Sequence, residues 1–168
     1  LDQSNDLLVS LTDGVIRVDN KYVPESEAIN FEAVKTGAGN DLIVGTDVAN
    51  WLISDAGDDQ LFGGMGNDFL RGGSGSDKLY GGAGNDQLVG DEGADLFVYE
   101  SLFEGKDTIT DFEKGVDKLD LRGAGIEDLL GLSYRAEEDG LKVWFGETEI
   151  MLTGVQFDHL SNSDILFA

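Results

Sequence analysis

Between Thr36 and Val98 the chain repeats every nine residues, seven times in succession, and no other feature so limits what it can fold into. The blocks read TGAGNDLIV, GTDVANWLI, SDAGDDQLF, GGMGNDFLR, GGSGSDKLY, GGAGNDQLV and GDEGADLFV. Position six is Asp41, Asn50, Asp59, Asp68, Asp77, Asp86 and Asp95; position eight is Ile43, Leu52, Leu61, Leu70, Leu79, Leu88 and Phe97. Glycines at positions two and four permit positive φ and close backbone approach, so the first six residues turn tightly with their carbonyls inward and the last three run extended. Two blocks then make one coil of 18 residues with a strand on each side, and strands one coil apart stack as parallel neighbours at about 4.8 Å. Position-eight side chains point inward in two columns: Ile43, Leu61, Leu79 and Phe97 on one sheet, Leu52, Leu70 and Leu88 on the other.

Stacking also brings the position-six carboxylates of adjacent coils together. At ~5 Å and an effective dielectric of ~20, each such pair repels by about 3 kcal/mol. A divalent cation between the turns reverses the sign. Calcium suits these turns better than magnesium or zinc, because they offer several carbonyl and carboxylate oxygens in a flexible shell and no nitrogen or sulfur.

The blocks closely resemble the GGxGxDxUx nonapeptide of the RTX (repeats-in-toxin) family. The resemblance implies an all-β fold, a right-handed parallel β-roll, with a calcium ion between each pair of stacked turns. Its ligands would be backbone carbonyls of the glycine-rich turn and position-six carboxylates from both turns. Carried onto this sequence, the ligand-bearing residues are Gly37, Gly39, Asp41, Asp55, Gly57, Asp59, Gly64, Gly66, Asp68, Gly73, Gly75, Asp77, Gly82, Gly84, Asp86, Asp91, Gly93 and Asp95. The turns beginning at Thr36, Ser54, Gly72 and Gly90 give three sites along one edge. Those beginning at Gly45, Gly63 and Gly81 allow two along the other, the first weakened by Val48 and Asn50 in place of glycine and aspartate. The expected total is about four to five ions.

Composition agrees with a fold that depends on metal. Lys and Arg number 11 against 34 Asp and Glu, a net charge of -23 that opposes compaction unless cations are bound and makes nucleic acid a poor partner. Hydrophobic residues at 40% argue against plain disorder. There is no cysteine, which removes disulfides and thiolate chemistry together. No run approaches the roughly 18 apolar residues of a membrane helix. At 168 residues the chain is one domain in size, expected to be a monomer, and its opening LDQSNDLLV, without Met or leader, reads as a piece of a longer polypeptide.

Three parts are expected: entry coils or a cap over residues 1–35, the roll over 36–98, and a β-rich cap over 99–168. Apolar runs at Leu7 to Val9, Val15 to Val18 and Ile29 to Val34 predict strands in an irregular entry segment, and ESEAINFEAV resembles the lead-in to such repeats. The period ends at Val98. DTITDFEKGVDKLDL, at Asp107 to Leu121, closely resembles the segment after the repeats in serralysin-type proteases and mannuronan epimerase modules. Asp107, Asp111, Asp117 and Asp120 could form a further cation site or be solvated turn carboxylates. IEDLLG predicts a helical turn, and LSYRAE, LKVWFG and TEIMLTGV predict three strands of an antiparallel cap. The final SDILFA resembles the C-terminal signal read by the type I (ABC transporter) secretion apparatus.

His159 is the only histidine and HExxH is absent, so zincin chemistry is excluded and no catalytic set stands out. No pair of carboxylates has a spacing that singles it out for glycoside hydrolysis. Positions seven and nine face outward and carry Trp51 and Phe69 on one sheet, Phe62 and Tyr80 on the other. Leu42, Val44 and Ile53 are outward too, which predicts a segment packed on the early coils, either the C-terminal strands or an upstream domain. The expected function is a non-catalytic, calcium-binding module of a secreted or cell-surface bacterial protein, folding on calcium after type I secretion. The alternative is a module binding an alginate-like polysaccharide.

Overall fold

The computed structural model describes residues 7–10, 15–18, 21–23, 33–156 and 160–168. Before the repeats lie β1 (Leu7–Ser10), β2 (Val15–Val18), β3 (Lys21–Val23) and β4 (Ala33–Lys35). The repeats supply β5 (Leu42–Thr46), β6 (Trp51–Ala56), β7 (Gln60–Met65), β8 (Phe69–Ser74), β9 (Lys78–Ala83), β10 (Gln87–Glu92) and β11 (Leu96–Val98). After them come β12 (Lys106–Ile109), β13 (Lys118–Asp120), a single 3-10 turn (Leu129–Gly131), β14 (Ser133–Glu137), β15 (Gly140–Phe145), β16 (Thr148–Thr153) and β17 (Ile165–Leu166).

Strands β4 to β13 alternate between two sheets, which makes the molecule a parallel β-solenoid of the β-roll type. One sheet runs β17-β13-β11-β9-β7-β5-β1-β2-β3, the other β14-β15-β16-β12-β10-β8-β6-β4. Pairing within the repeats is parallel and in register at 18 residues, as in Leu61↔Leu79 and Leu52↔Leu70. That register is what a strict period of two blocks per coil dictates, since any slip of one residue would turn the position-eight side chains to solvent. Ile43, Leu52, Leu61, Leu70, Leu79 and Phe97 are fully buried, and Leu88 is 1% exposed.

The coil outruns the period at both ends. Val9 of β1 pairs with Ile43, and Val34 of β4 pairs with Leu52, so the expected irregular entry segment includes strands that continue both columns in register. β2 and β3 extend that sheet as an antiparallel meander. At the other end Leu88 pairs with Ile109, Phe97 with Leu119, and Leu119 with Ile165.

β14, β15 and β16 form the expected antiparallel cap, but its position differs from one expectation. β16 pairs with β12, so these strands lengthen the sheet beyond the last coil and do not lie on the early coils. Tyr99 and Phe145 close the core there in an edge-to-face contact at 6.0 Å, and Phe97 meets Phe112 at 6.1 Å.

Candidate metal centres

A ladder of carboxylates runs up each edge of the roll. The Asp41 N–H donates to Asp59 Oδ1 (2.6 Å), Asp59 to Asp77 (2.8 Å) and Asp77 to Asp95 (3.0 Å). On the opposite edge Asn50 donates to Asp68 and Asp68 to Asp86, both at 2.8 Å. Each aspartate thus uses one oxygen to seat the backbone of the coil before it. The other oxygen, Oδ2 of Asp59, Asp68, Asp77, Asp86 and Asp95, is buried without a hydrogen-bond partner. These five residues are 1–3% exposed, and no ion pair among the described residues involves them. A buried carboxylate left in that condition is strongly unfavourable unless a proton or a cation compensates it.

Position one shapes the space into which those oxygens point. A Cβ on Gly63 would collide with Asp68 Oδ2 and lie 2.5 Å from the carbonyl oxygen of Gly81, one coil on. At Gly72, Gly81 and Gly90 the same atom would meet Oδ2 of Asp77, Asp86 and Asp95. A carboxylate oxygen and, at Gly63, a carbonyl from the next coil therefore share a space that only glycine leaves open. Among the described residues no three acidic or histidine side chains converge on one point, so backbone carbonyls must complete any cation shell. An all-oxygen shell rich in carbonyls fits a hard divalent cation of calcium's size.

Residues 36–70 and 62–97 match the family model described as the RTX calcium-binding nonapeptide repeat. Residues 36–97 are an RTX calcium-binding repeat array. No curated protein matches the chain. Among solved structures it is similar to the extracellular lipase LipA of Serratia marcescens, at 16% identity and TM-score 0.44, over 81% of this chain and 42% of the lipase. It is also similar to two subunits of the Azotobacter vinelandii mannuronan C5-epimerase. For AlgE6R3 the identity is 27% and the TM-score 0.39, over 86% of this chain and 84% of that one. For AlgE6R2 they are 28% and 0.43, over 77% and 92%. The chain thus spans less than half of the lipase.

Within the RTX array the glycine-rich turns have the backbone the motif needs. Gly73 has φ +116°, and a Cβ there would strike the Asp55 carbonyl oxygen of the coil before. Three residues replace glycine at position two: Thr46, and Asp55 (φ 81°) and Asp91 (φ 68°), the last two keeping a positive φ with their side chains turned outward to Lys35 and Arg71. Those two carboxylates are consequently separate from the buried ladder. Asn50 departs differently: its Oδ1 accepts from the Thr46 N–H at 2.7 Å, and its Nδ2 is a buried donor without a partner, which opposes a cation there.

Two features of the array were not among the residues expected to line the sites. Position one is the first, although Gly45, Gly63, Gly72, Gly81 and Gly90 repeat visibly in the sequence. Where it is not glycine, a hydroxyl takes over: Thr36 donates to the Ser54 carbonyl at 3.0 Å and Ser54 to that of Gly72 at 2.7 Å. The second is an outer ladder at position five, in which Asn67 Oδ1 accepts from the Asn85 N–H and Asn85 Oδ1 from that of Lys106. Asn40, Asp58, Asn67 and Asn85 carry its signal in the sequence. His159 lies outside the described residues.

Burial sets the electrostatics of the array. It pushes Asp59, Asp68, Asp86 and Asp95 up to about 6 and Asp77 to about 7, against partial relief from the N–H groups that each accepts. Neighbouring ladder carboxylates raise them further. These are acids that resist ionising in the bare protein.

Proposed function

We propose that this chain is the calcium-folded module of a secreted or cell-surface bacterial protein, non-catalytic in itself, in which residues 36–98 form the roll and the flanking segments cover its ends. One observation carries the reading: the column of buried, unpartnered Oδ2 atoms at position six. Position-six aspartates and the carbonyls of the adjoining glycine turns hold the ions, in about four to five sites. Bound calcium supplies the positive charge that lets adjacent carboxylates stay ionised inside the coil. The side chains do the rest. Oδ1 fixes the register through the N–H of the preceding coil, while the position-eight column excludes water.

In a calcium-poor cytosol the same carboxylates repel one another and the chain stays open, which suits export through a type I apparatus; in calcium outside the cell it folds and stabilises the exported protein. The test is isothermal titration of the intact chain and of Asp77→Ala with calcium. The variant is expected to bind fewer ions with lower cooperativity; an unchanged isotherm would overturn the ligand assignment.

A second reading has its own observation. Trp51, 52% exposed, stacks on Phe69 at 4.2 Å beside an open groove of about 760 Å³ also lined by Asn67, Asn85, Gln87 and Lys106. A flat aromatic pair among amide side chains suits the faces and hydroxyls of a polysaccharide such as alginate. Titration with alginate in calcium, for the intact chain and Trp51→Ala, decides it: binding lost in the variant supports this reading, and no binding by the intact chain removes it.

A further inference from the structure

Each sheet of the roll has to end, and an end strand carries a row of backbone donors and acceptors with no strand beside it. One sheet ends on β17 and β3, the other on β14 and β4. β14 (Ser133–Glu137) is the longest of the four at five residues, against two in β17 and three each in β3 and β4. The chain past β17 is tied down, the Ala168 N–H donating to the Ile126 carbonyl at 2.9 Å. β14 pairs with β15 on one side, and among the described residues no strand lies on its other side.

The cap also overhangs. β16 follows β12 and β17 follows β13, after which one sheet gains β15 and β14 and the other gains nothing. Tyr134 and Ala136 lie opposite Val143 and Leu141, so they belong to the core side of their sheet. Val143 and Leu141 are buried, yet Tyr134 is 50% exposed and Ala136 is exposed beside it. Below them an apolar cavity of about 100 Å³ opens among Leu132, Leu160 and Ile165. The open edge therefore has an apolar rim on its inner side. Its outer side carries one ion pair, in which Arg135 Nε donates to Glu137 Oε1 at 2.9 Å.

Those two charges indicate what covers the edge. If β14 pairs antiparallel with β14 of a second copy about Ala136, Arg135 of each copy stands opposite Glu137 of the other. Opposite charges directly across two strands attract, and here four of them alternate around the two-fold axis. The edge is thus self-complementary, which is what a closed two-fold contact requires. Local balance matters in a chain of net charge -23, because two copies otherwise repel. We propose that two copies of this chain pair through β14, antiparallel and centred on Ala136, so that their eight-stranded sheets become one and the Tyr134 rims close on each other. Such a contact consumes the β14 edge of both copies, and assembly through it stops at the dimer. The monomer expected from the sequence is then half of the assembly.

The test is sedimentation velocity of the full chain in calcium, with circular dichroism in the same buffer to check folding. The native chain is expected to sediment as a dimer that dissociates on dilution. Arg135→Glu and Glu137→Arg, which each set like charges across the axis, are expected to be folded monomers, and the double variant carrying both changes a dimer again. The chain has no cysteine, so an introduced one reports the register. Antiparallel partners lie ~4.5–5.5 Å apart at Cα, within reach of a disulfide, so mild oxidation is expected to link two copies of Ala136→Cys. Ser133→Cys is expected to stay unlinked, because its counterpart lies about 20 Å along the paired strands. A native chain that is monomeric at every concentration would overturn the proposal. So would a dimer untouched by either single variant, a double variant that stays monomeric, aggregates that grow without limit, or Ser133→Cys linking as readily as Ala136→Cys.

Discussion

At the scale of the residue, one aspartate oxygen builds the fold and the other creates its demand for metal. Oδ1 completes a backbone hydrogen bond between coils, whereas Oδ2 of Asp68, Asp77, Asp86 and Asp95 is buried beside a glycine that leaves it room but no donor. Asn50 shows what happens when the charge is missing, since its amide satisfies its own turn and presents a buried donor. Replacing Asn50 by Asp should therefore add binding capacity on that edge. Calcium titration is expected to give a higher stoichiometry or a lower folding midpoint than for the native chain, and an unchanged or higher midpoint would show that Val48 is the greater obstacle. The acids also set a pH response. Buried aspartates raised to about 6 or 7 keep protons in the metal-free fold that the unfolded chain releases near 4. Their penalty is absent below about pH 4, grows as pH rises through that window, and is complete above about 7. Calcium-stripped protein should thus be most folded in mild acid and lose structure toward pH 8, while in calcium, which binds the ionised form, acid should raise the calcium concentration needed. Circular dichroism across pH 4 to 8, with and without calcium, checks both slopes.

At the scale of the element, the strands are short and their stability lies in the columns. Leu70 is fully buried between Leu52 and Leu88 of the paired strands, so Leu70→Ala should cost about 2–5 kcal/mol in saturating calcium. Leu130, 92% exposed on the 3-10 turn, is the contrast: Leu130→Ala should stay within about 0.5 kcal/mol. Chemical denaturation of the two variants measures the difference. The columns also explain what could be read in advance. Strands β5 to β11 were legible because an unbroken period sets both their face and their register. β12 and β13 were not, because insertions destroy the period, although Asp107-Thr108-Ile109 and Asp117-Lys118-Leu119 keep the spacing of an acid two residues before an inward apolar side chain. Position one was overlooked for a related reason. Its glycines have no unusual φ to announce them, and their need appears only when the carboxylate of the same block folds back against them.

At the scale of the whole molecule, the roll joins a large negative charge to a narrow hydrophobic core. The net charge is -23, and none of the six arginine or lysine ion pairs among the described residues involves Asp59, Asp68, Asp77, Asp86 or Asp95. Ligand linkage supplies stability instead, about 2.7 kcal/mol for each independent site at a hundred times its dissociation constant. The last residues belong to this fold as well. Asp164 is fully buried, accepting from the Gly115 N–H and from Ser161, and it leads into β17, which pairs with β13. On the proposed reading the roll closes only when calcium is bound, and this strand closes with it. Far-UV circular dichroism of the intact chain at pH 7.5, first in excess chelator and then through a calcium titration, tests this coupling most directly. The account predicts a largely unfolded spectrum in chelator and a cooperative rise of β-structure with calcium; a full β-rich spectrum that persists after complete chelation would contradict it.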